Sequence, residues 1–256
     1  MHWVLQNNLL EEPGYDRLVQ CLNDRNCKVS IVRVIPFIHE LETDAHLEGP
    51  VIVIGSTALS SIAKKKGWVP GSFDNENFDF EIWRKQYSGF LLNDDAEVFR
   101  FAEVQEREGL FFSRPCLDLK AYPGTVFNWE EFEAWRAGLL AEADPLNPLQ
   151  RDTKVLISTL KTINREYRFF IVEGKVVTGS MYRFQGKVQP SSDIPLSAVQ
   201  FAQMVTEIWM PDRAFVLDIA EIDEDYQIIE INSINSAGFY DADVGALVDA
   251  LEVLRF

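Results

Sequence analysis

Histidine is scarce in this chain, and its placement limits the chemistry available to a site. All three histidines, His2, His39 and His46, lie in the first fifth of the 256 residues. A site in the C-terminal two-thirds therefore lacks an imidazole unless the N-terminal region folds over it. We accordingly expect neither a histidine-based catalytic triad nor a histidine-ligated zinc site there. A metal in that region would have oxygen ligands, which suits Mg²⁺.

Cysteine, long apolar runs and positive charge are also in short supply. The three cysteines, Cys21, Cys27 and Cys116, form no CxxC pair, so we expect reduced thiols rather than a zinc or redox site. No apolar run reaches the about 18 residues of a membrane helix. The start, MHWVLQNN, has no signal-peptide features, so we expect a cytoplasmic protein. The formal net charge of −16 argues against nucleic acid or a membrane as partner.

Strand and helix signals alternate in the first hundred residues. The segments HWVLQ, KVSIVRVI and GPVIVIG predict strands, and YDRLVQCLNDRN and STALSSIAKKKG predict helices. This β-α-β-β-α order predicts a small doubly wound α/β domain. The turn Gly55-Ser56-Thr57 matches neither GxGxxG nor a P-loop, so a plain strand-to-helix turn is favoured over a phosphate site.

Carboxylates gather on one face of the last predicted hairpin. A three-residue loop would pair Ile222 with Tyr226. Asp218 then lies directly opposite Glu230, and Asn232 follows on the same face. Opposed like charges are destabilising unless a cation or a proton neutralises them, and these oxygen ligands suit Mg²⁺. The alternative is a solvated face with ordinary acids, and a loop of another length would break the facing.

An earlier hairpin offers the opposite charge. The dipeptide Glu173-Gly174 predicts its two-residue turn. Arg168 then faces Gly179, which leaves space for the guanidinium or a ligand, and Arg183 lies on the same face. Two arginines on one face suit an anion such as phosphate or a carboxylate. The alternative is a pair of surface arginines without a ligand.

Two more cations, Arg114 and Lys120, flank a strand–loop–strand unit in which Gly124 permits a tight turn. Together with the hairpins, they resemble the ATP-grasp superfamily of carboxylate–amine ligases over residues 110–254. The resemblance is carried by FFSRPCLDLKAYPGTVF, VLISTLKTINREYRFFIVEGKVVTGSMYR and VLDIAEIDEDYQIIEINSINSAGFY. The chain looks closest to an ATP-grasp clade common in phages and bacteria, in which Arg replaces the first ATP-binding Lys.

The resemblance implies nucleotide-binding roles in the first two stretches. Arg114 takes the place of the Lys that contacts nucleotide phosphate. Lys120 occupies the flexible phosphate loop and would also assist catalysis, although this loop has one glycine where many relatives have several. Ile157, Ser158 and Thr159 resemble the interlobe hinge, whose backbone would pair with the edge of adenine.

The same resemblance assigns the charged residues of the two hairpins. Arg168 and Arg183 match the catalytic basic residues near the γ-phosphate and the acyl-phosphate. Asp218, Glu230 and Asn232 match the ligands of one or two Mg²⁺ ions. The implied cofactors are therefore ATP and Mg²⁺.

The loop after the metal ligands would lie near the acceptor substrate. Its candidate substrate contacts are Ser233, Gly238 and above all Asn235. The loop lacks the Pro-Gly that often follows the metal Asn in relatives, so the resemblance does not specify the acceptor.

The resemblance also implies a fold, a domain division and a function. We expect an α/β (α+β) ATP-grasp fold with an N-terminal Rossmann-like pre-ATP-grasp domain at 1–96. The ATP-grasp domain would follow at 97–256, with lobes at about 97–155 and 156–256. The implied reaction joins a carboxylate to an amine through an acyl-phosphate, with an amino acid, peptide or protein terminus as substrate. The alternatives are an ATP-grasp kinase and a non-catalytic nucleotide-binding adaptor. A phage-encoded protein would act in the host cytoplasm.

Overall fold

Helices and strands alternate along the part of the chain that the computed structural model describes. This part comprises residues 1–7, 14–35, 38–43, 47, 49–117, 121–142, 144, 147–223 and 225–256. Its helices are α1 (Tyr15–Asp24), α2 (Thr57–Lys66), α3 (Phe80–Gln86), α4 (Trp129–Glu142), α5 (Leu196–Ile208) and α6 (Val244–Glu252). Its strands are β1 (His2–Gln6), β2 (Lys28–Val32), β3 (Val34–Ile35), β4 (Glu40–Leu41), β5 (Val51–Ile54), β6 (Pro70–Gly71), β7 (Glu97–Arg100), β8 (Phe111–Pro115), β9 (Thr125–Phe127), β10 (Lys154–Ser158), β11 (Arg165–Val172), β12 (Lys175–Phe184), β13 (Lys187–Ser191), β14 (Ala214–Ile222) and β15 (Asp225–Ser233). None of the helices in these ranges has the length and apolar composition that a membrane crossing requires.

The chain divides into two compact units. The first unit combines residues 1–75 with residues 163–256, and the second comprises residues 76–162. The domain boundary expected near residue 96 was placed by resemblance, and it stays a prediction about domains rather than about compactness. The first unit nevertheless brings the N-terminal segment together with the predicted metal and arginine hairpins.

A parallel sheet forms the N-terminal part of the first unit. Its strand order is β2-β1-β5-β6, and every neighbouring pair is parallel. Helix α2 follows β5 and ends at Gly67, which adopts a left-handed φ of 66°. Ser56, expected as a possible helix cap, instead donates its hydroxyl to Gln6 Oε1 at 2.8 Å. The Gly55-Ser56-Thr57 turn is thus bonded to the end of the neighbouring strand β1.

An antiparallel sheet forms the rest of the first unit, with strand order β13-β12-β11-β14-β15. The turn between β11 and β12 lies where the sequence predicts it. Val172 pairs with Lys175, and Glu173 and Gly174 have positive φ values of 50° and 73°. Positive φ at both central residues is the conformation that two-residue hairpins favour.

The register of this hairpin differs from the prediction beyond a bulge. Arg168 pairs with Ser180, so the predicted pairing of Arg168 with Gly179 is wrong. A Cβ at Gly179 would lie 2.7 Å from Cδ1 of Phe169. The space beside this glycine is therefore filled by an aromatic ring rather than by the guanidinium. One extra residue on β12 is enough to change the partner of every residue that follows.

The last hairpin opposes Asp218 to Glu230 as predicted, but by a different route. Ile222 pairs with Asp225, so the predicted pairing of Ile222 with Tyr226 is wrong. A bulge next to Asp218 then shifts the register by one residue. Because the shorter loop and the bulge compensate, the two carboxylate residues still face each other.

One face of the antiparallel sheet changes character along its length. Because alternate residues share a face, polar residues on three strands lie two positions from core residues: Arg168 from Phe170, Asp218 from Val216, and Asn232 from Ile234. The three core residues belong to one hydrophobic cluster with residues of β1, α1 and α6, including Trp3, Leu5, Leu18, Leu247 and Leu251. The apolar end of the face is thus packed, and its polar end presents the charged residues.

The second unit has its own sheet and core. Its strands follow the order β7-β10-β8-β9, and all neighbouring pairs are antiparallel. Helix α4 buries Phe132, whose ring makes edge contacts with Phe101 and Phe111 at centroid distances of 5.8 and 5.5 Å. Val155 and Ile157 of β10 join the same cluster.

Phe170 should be essential to the stability of the first unit. Its side chain is fully buried and its ring stacks on Phe239 at 5.7 Å. We expect Phe170→Ala to lower the free energy of unfolding by about 3–5 kcal/mol, because it leaves a cavity in the core. The matched control Phe256→Ala removes a half-exposed ring and should cost less than about 1 kcal/mol. Equal losses in urea denaturation would contradict the shared core.

Candidate functional site

A buried ion pair lies at the centre of the polar end of the sheet face. Arg168 Nε donates to Asp218 Oδ1 at 2.8 Å, and Nη2 donates to Oδ2 at 2.7 Å. The two residues are register partners on β11 and β14. Only 12% of the Arg168 side chain and 1% of the Asp218 side chain are exposed. The contact is therefore a bidentate pair of the strong kind, formed out of solvent.

Two tyrosine rings cover the guanidinium of Arg168. Its Cζ lies 5.5 Å from the ring centroid of Tyr182 and 5.4 Å from that of Tyr240. The two rings stack on each other with centroids 5.1 Å apart. The remaining Nη1 donates to the carbonyl of Gly238 at 3.3 Å. The arginine is thus held by one carboxylate, two rings and one backbone carbonyl.

Arg183 lies beside this pair with its own acidic partner. Its Nη1 is 3.7 Å from Glu166 Oε1, and its side chain is about half exposed. Glu166 also accepts a hydrogen bond from the Tyr182 hydroxyl at 2.7 Å. The two predicted arginines are therefore close to the same residues, but Arg168 is buried and Arg183 is open to solvent.

The predicted metal ligands lie on the same polar face. Asp218 is the register partner of Glu230, and Asn232 Nδ2 donates to Glu230 Oε1 at 2.8 Å. Two carboxylates and an amide oxygen are hard donors of the type that Mg²⁺ accepts, so the donor set fits this metal. Within the described ranges, no three His, Cys, Asp or Glu side chains form a metal-type group, and the predicted set includes an amide.

The burial of Asp218 has an electrostatic consequence. Burial raises the pKa of its carboxyl, Arg168 opposes this rise, and the charges of Glu230 and Glu166 add to it, leaving a pKa of about 6. Burial and the same neighbouring carboxylates hold the pKa of the Tyr182 hydroxyl well above its ordinary value. Tyr182 is therefore a neutral hydrogen-bond donor to Glu166.

Asn235 anchors the loop that follows the metal-ligand strand. Its Oδ1 accepts from the backbone N–H of Phe73 at 2.8 Å, and its Nδ2 donates to the carbonyl of Val53 at 2.6 Å. Its backbone carbonyl accepts from Gly55 N at 2.7 Å. Ser233 Oγ also donates to Oδ1, at 3.0 Å. The side chain is fully buried and bonds to protein atoms at both ends of its amide.

These contacts bear on the predicted substrate loop. In the described structure Asn235 holds the loop against the carboxyl ends of β5 and β6, the edge at which parallel sheets commonly bind ligands. Ser233 bonds to Asn235, and the Gly238 carbonyl bonds to Arg168. Direct contacts of Ser233, Asn235 and Gly238 with a substrate stay predictions.

The predicted phosphate contacts of the second unit are described in part. Arg114 lies on β8, and its Cζ is 5.8 Å from the ring centroids of both Phe80 and Trp83 on α3. Its guanidinium therefore packs against aromatic rings. Lys120, predicted to occupy the phosphate loop, lies outside the described residues.

The predicted hinge is fastened by Asp95. Thr159 donates its backbone N–H and its hydroxyl to Asp95 Oδ2 at 3.0 and 2.6 Å, and Lys161 Nζ donates to Oδ1 at 2.9 Å. Burial alone raises the pKa of Asp95, but these bonds lower it to about 2. Ile157 and Ser158 are part of β10, the strand between β7 and β8. Adenine pairing by 157–159 stays a prediction.

Comparison with protein families decides the classification. A family model that describes an ATP-grasp domain, the third family of its clade, matches residues 32–251. The chain belongs to this ATP-grasp family. The superfamily predicted from the sequence is thus confirmed, whereas a phage origin and the replacement of a nucleotide-binding Lys by Arg114 stay predictions.

Solved structures show the same fold at low sequence identity. A RimK domain ATP-grasp protein from Sphaerobacter thermophilus has a TM-score of 0.65 and 10% identity, covering 97% of this chain and 98% of that one. D-alanine–D-alanine ligase from Bacillus anthracis has a TM-score of 0.60 and 10% identity, with 99% and 93% covered. The ATP-grasp ligase PsnB, solved with a minimal precursor, has a TM-score of 0.55 and 14% identity, with 98% and 97% covered. No curated protein matches the sequence significantly. The predicted ATP-grasp fold of mixed α/β type is therefore confirmed.

Sequence reasoning missed the two tyrosines of this ATP-grasp site. Tyr182 reaches the polar face through a second bulge, where the register between β11 and β12 shifts next to Glu166. Strict alternation from Arg183 would have placed Tyr182 on the other face. Tyr240 lies in a loop beyond β15, where no periodicity applies. The aromatic pair that ends the quoted motif was the only available signal.

Asn235 should contribute strongly to stability. We expect Asn235→Ala to lower the free energy of unfolding by about 2–4 kcal/mol, because the N–H of Phe73 and the carbonyl of Val53 lose their buried partners. The exposed Asn23 provides the control, and Asn23→Ala should stay within about 0.5 kcal/mol of wild type. A neutral Asn235→Ala variant in urea denaturation would show that these bonds do not hold the loop.

Proposed function

We propose that this protein is an ATP- and Mg²⁺-dependent ligase that joins a carboxylate to an amine through an acyl-phosphate, releasing ADP and phosphate. The observation that carries the proposal is the sharing of one sheet face by Asp218, Glu230 and Asn232 with Arg168 and Arg183, in a chain of the ATP-grasp family. Hard oxygen ligands and guanidinium groups are what the transfer of a γ-phosphate requires.

The structural relatives support the reaction class. PsnB is an ATP-grasp ligase solved with its precursor, and also with Mg and ADP. The relative from Bacillus anthracis joins D-alanine to D-alanine, as its name states, and was also solved with ATP. We carry over from them the use of ATP and a divalent metal, and the formation of an amide between amino acid or peptide substrates.

The metal would be held by the two carboxylates and the amide of the polar face. Asp218, Glu230 and Asn232 are the proposed ligands, and Mg²⁺ bound there would offset the repulsion between the β- and γ-phosphates. Arg168 and Arg183 would stabilise the charge that spreads over the transferred phosphoryl group. Positioning and electrostatics suffice for this chemistry, so it needs no imidazole.

Residues elsewhere in the chain have proposed supporting roles. Arg114 and Lys120 would bind nucleotide phosphates, and the backbone of 157–159 would bind adenine. The loop from Ser233 to Gly238 would face the acceptor, which we take to be an amino acid, a peptide or a protein terminus.

The reaction can be tested without knowing the substrate. The protein is incubated with Mg-ATP, pooled amino acids and peptides, and cell extract, and ADP, phosphate and mass shifts are followed. Free phosphate with an adduct of amide mass is the expected result. A phosphorylated product would identify a kinase instead, and Mg-ATP binding without turnover would identify an adaptor. A protein that does not bind Mg-ATP would overturn the nucleotide-dependent function altogether.

Glu230→Gln tests the metal assignment directly. The change keeps the size of the side chain but removes its charge, so we expect Mg-ATP binding or turnover to fall by about tenfold or more, roughly 1.4 kcal/mol. Glu207→Gln on the exposed part of α5 is the matched control and should behave as wild type. Wild-type activity of the Glu230→Gln variant in the same assay would refute the metal role.

A further inference from the structure

The carboxylate of Asp218 is fully engaged by another residue of the same site. Each of its oxygens accepts one hydrogen bond from Arg168, at 2.8 and 2.7 Å. Only 1% of its side chain is exposed. A hydrated cation therefore has no open approach to these oxygens in this arrangement. Glu230 is only partly buried, so the proposed ligands differ in how accessible they are.

Arg168 is held in this position from several sides. The rings of Tyr182 and Tyr240 lie over its guanidinium, and the Gly238 carbonyl accepts its third hydrogen bond. Tyr240 has a φ of 46°, in the left-handed region that bulky residues rarely adopt. Such a conformation persists only where the surrounding contacts enforce it. The placement of this ring over Arg168 is thus specified by the fold.

The charges explain why Asp218 keeps this partner. Glu230 lies opposite Asp218, and Glu166 is close enough to add to the negative potential at Asp218. A buried carboxylate with acidic neighbours needs a compensating cation. In this structure that cation is the guanidinium, which takes the role that a metal would have in the working site.

We propose that Arg168 and a divalent cation compete for Asp218, so that the ion pair closes this carboxylate to metal until a phosphate anion draws the guanidinium away. The inference rests on the proposed metal-dependent function, and it adds an order of events to it. Arginine forms bidentate contacts with phosphate as well as with carboxylate, so the exchange keeps its charge paired. Metal without nucleotide would then bind weakly, through Glu230 and Asn232.

A metal titration without nucleotide tests the competition. Mn²⁺, a paramagnetic substitute for Mg²⁺, is titrated into the full chain and its free fraction is read by electron paramagnetic resonance. Arg168→Met removes the charge and keeps an apolar stem, and it should tighten Mn²⁺ binding by about tenfold or more. Arg183→Met is the matched control, because Arg183 pairs with Glu166 and is half exposed. This control should change the affinity by less than about threefold.

A second set of variants covers the case in which Arg168→Met does not fold, which circular dichroism would reveal. Asp218→Asn in the otherwise wild-type chain should change the affinity for Mn²⁺ alone by less than about twofold, because Asp218 is already occupied. In the Arg168→Met background, the same change should abolish the gain. Unchanged or weaker Mn²⁺ binding by folded Arg168→Met, or a large loss on Asp218→Asn alone, would overturn the competition.

The two levels of inference fail in different ways. A protein that neither binds nor turns over Mg-ATP defeats the proposed function, whatever the Mn²⁺ titration shows. Tight, Asp218-dependent binding of Mn²⁺ to the wild-type chain defeats the competition and leaves the ligase proposal in place.

Discussion

The bidentate contact between Arg168 and Asp218 is the constraint on which the site depends. The sequence suggests an anion-binding arginine on one hairpin and a metal-binding carboxylate on another. The sheet makes these two residues direct partners, because β11 lies between β12 and β14. Each therefore satisfies the charge of the other out of solvent. Any ligand of either residue has to be understood as an exchange of partners rather than as an addition to a free group.

The sheet face that carries this pair explains how the site is positioned. Its apolar end belongs to the hydrophobic core that joins residues 1–75 to residues 163–256. Its polar end continues on the same strands, so the charged side chains are carried by rigid backbone rather than by loops. The loop beyond β15 is held by Asn235 through hydrogen bonds to Val53, Gly55 and Phe73. The N-terminal sheet thereby contributes to the site without supplying a catalytic side chain.

The two hairpins show how far pattern reasoning reaches. The turn at Glu173-Gly174 was predictable because a two-residue turn needs residues that accept positive φ. The opposition of Asp218 to Glu230 was also predicted, but from a loop one residue too long and without the bulge that compensates for it. The pairing of Arg168 with Gly179 failed for the same reason, since a bulge left no signal in the alternation.

The sequence by itself determined the family, the ATP-grasp fold and the chemical character of the candidate site, because these depend on the order and spacing of residue types. Tertiary structure decided the partners. It paired Arg168 with Asp218, placed Tyr182 and Tyr240 over the guanidinium, and buried Asn235 as an anchor. These contacts depend on strand order, on bulges and on a loop packed against the N-terminal sheet. Such features arise between segments distant in sequence, where local periodicity carries no information.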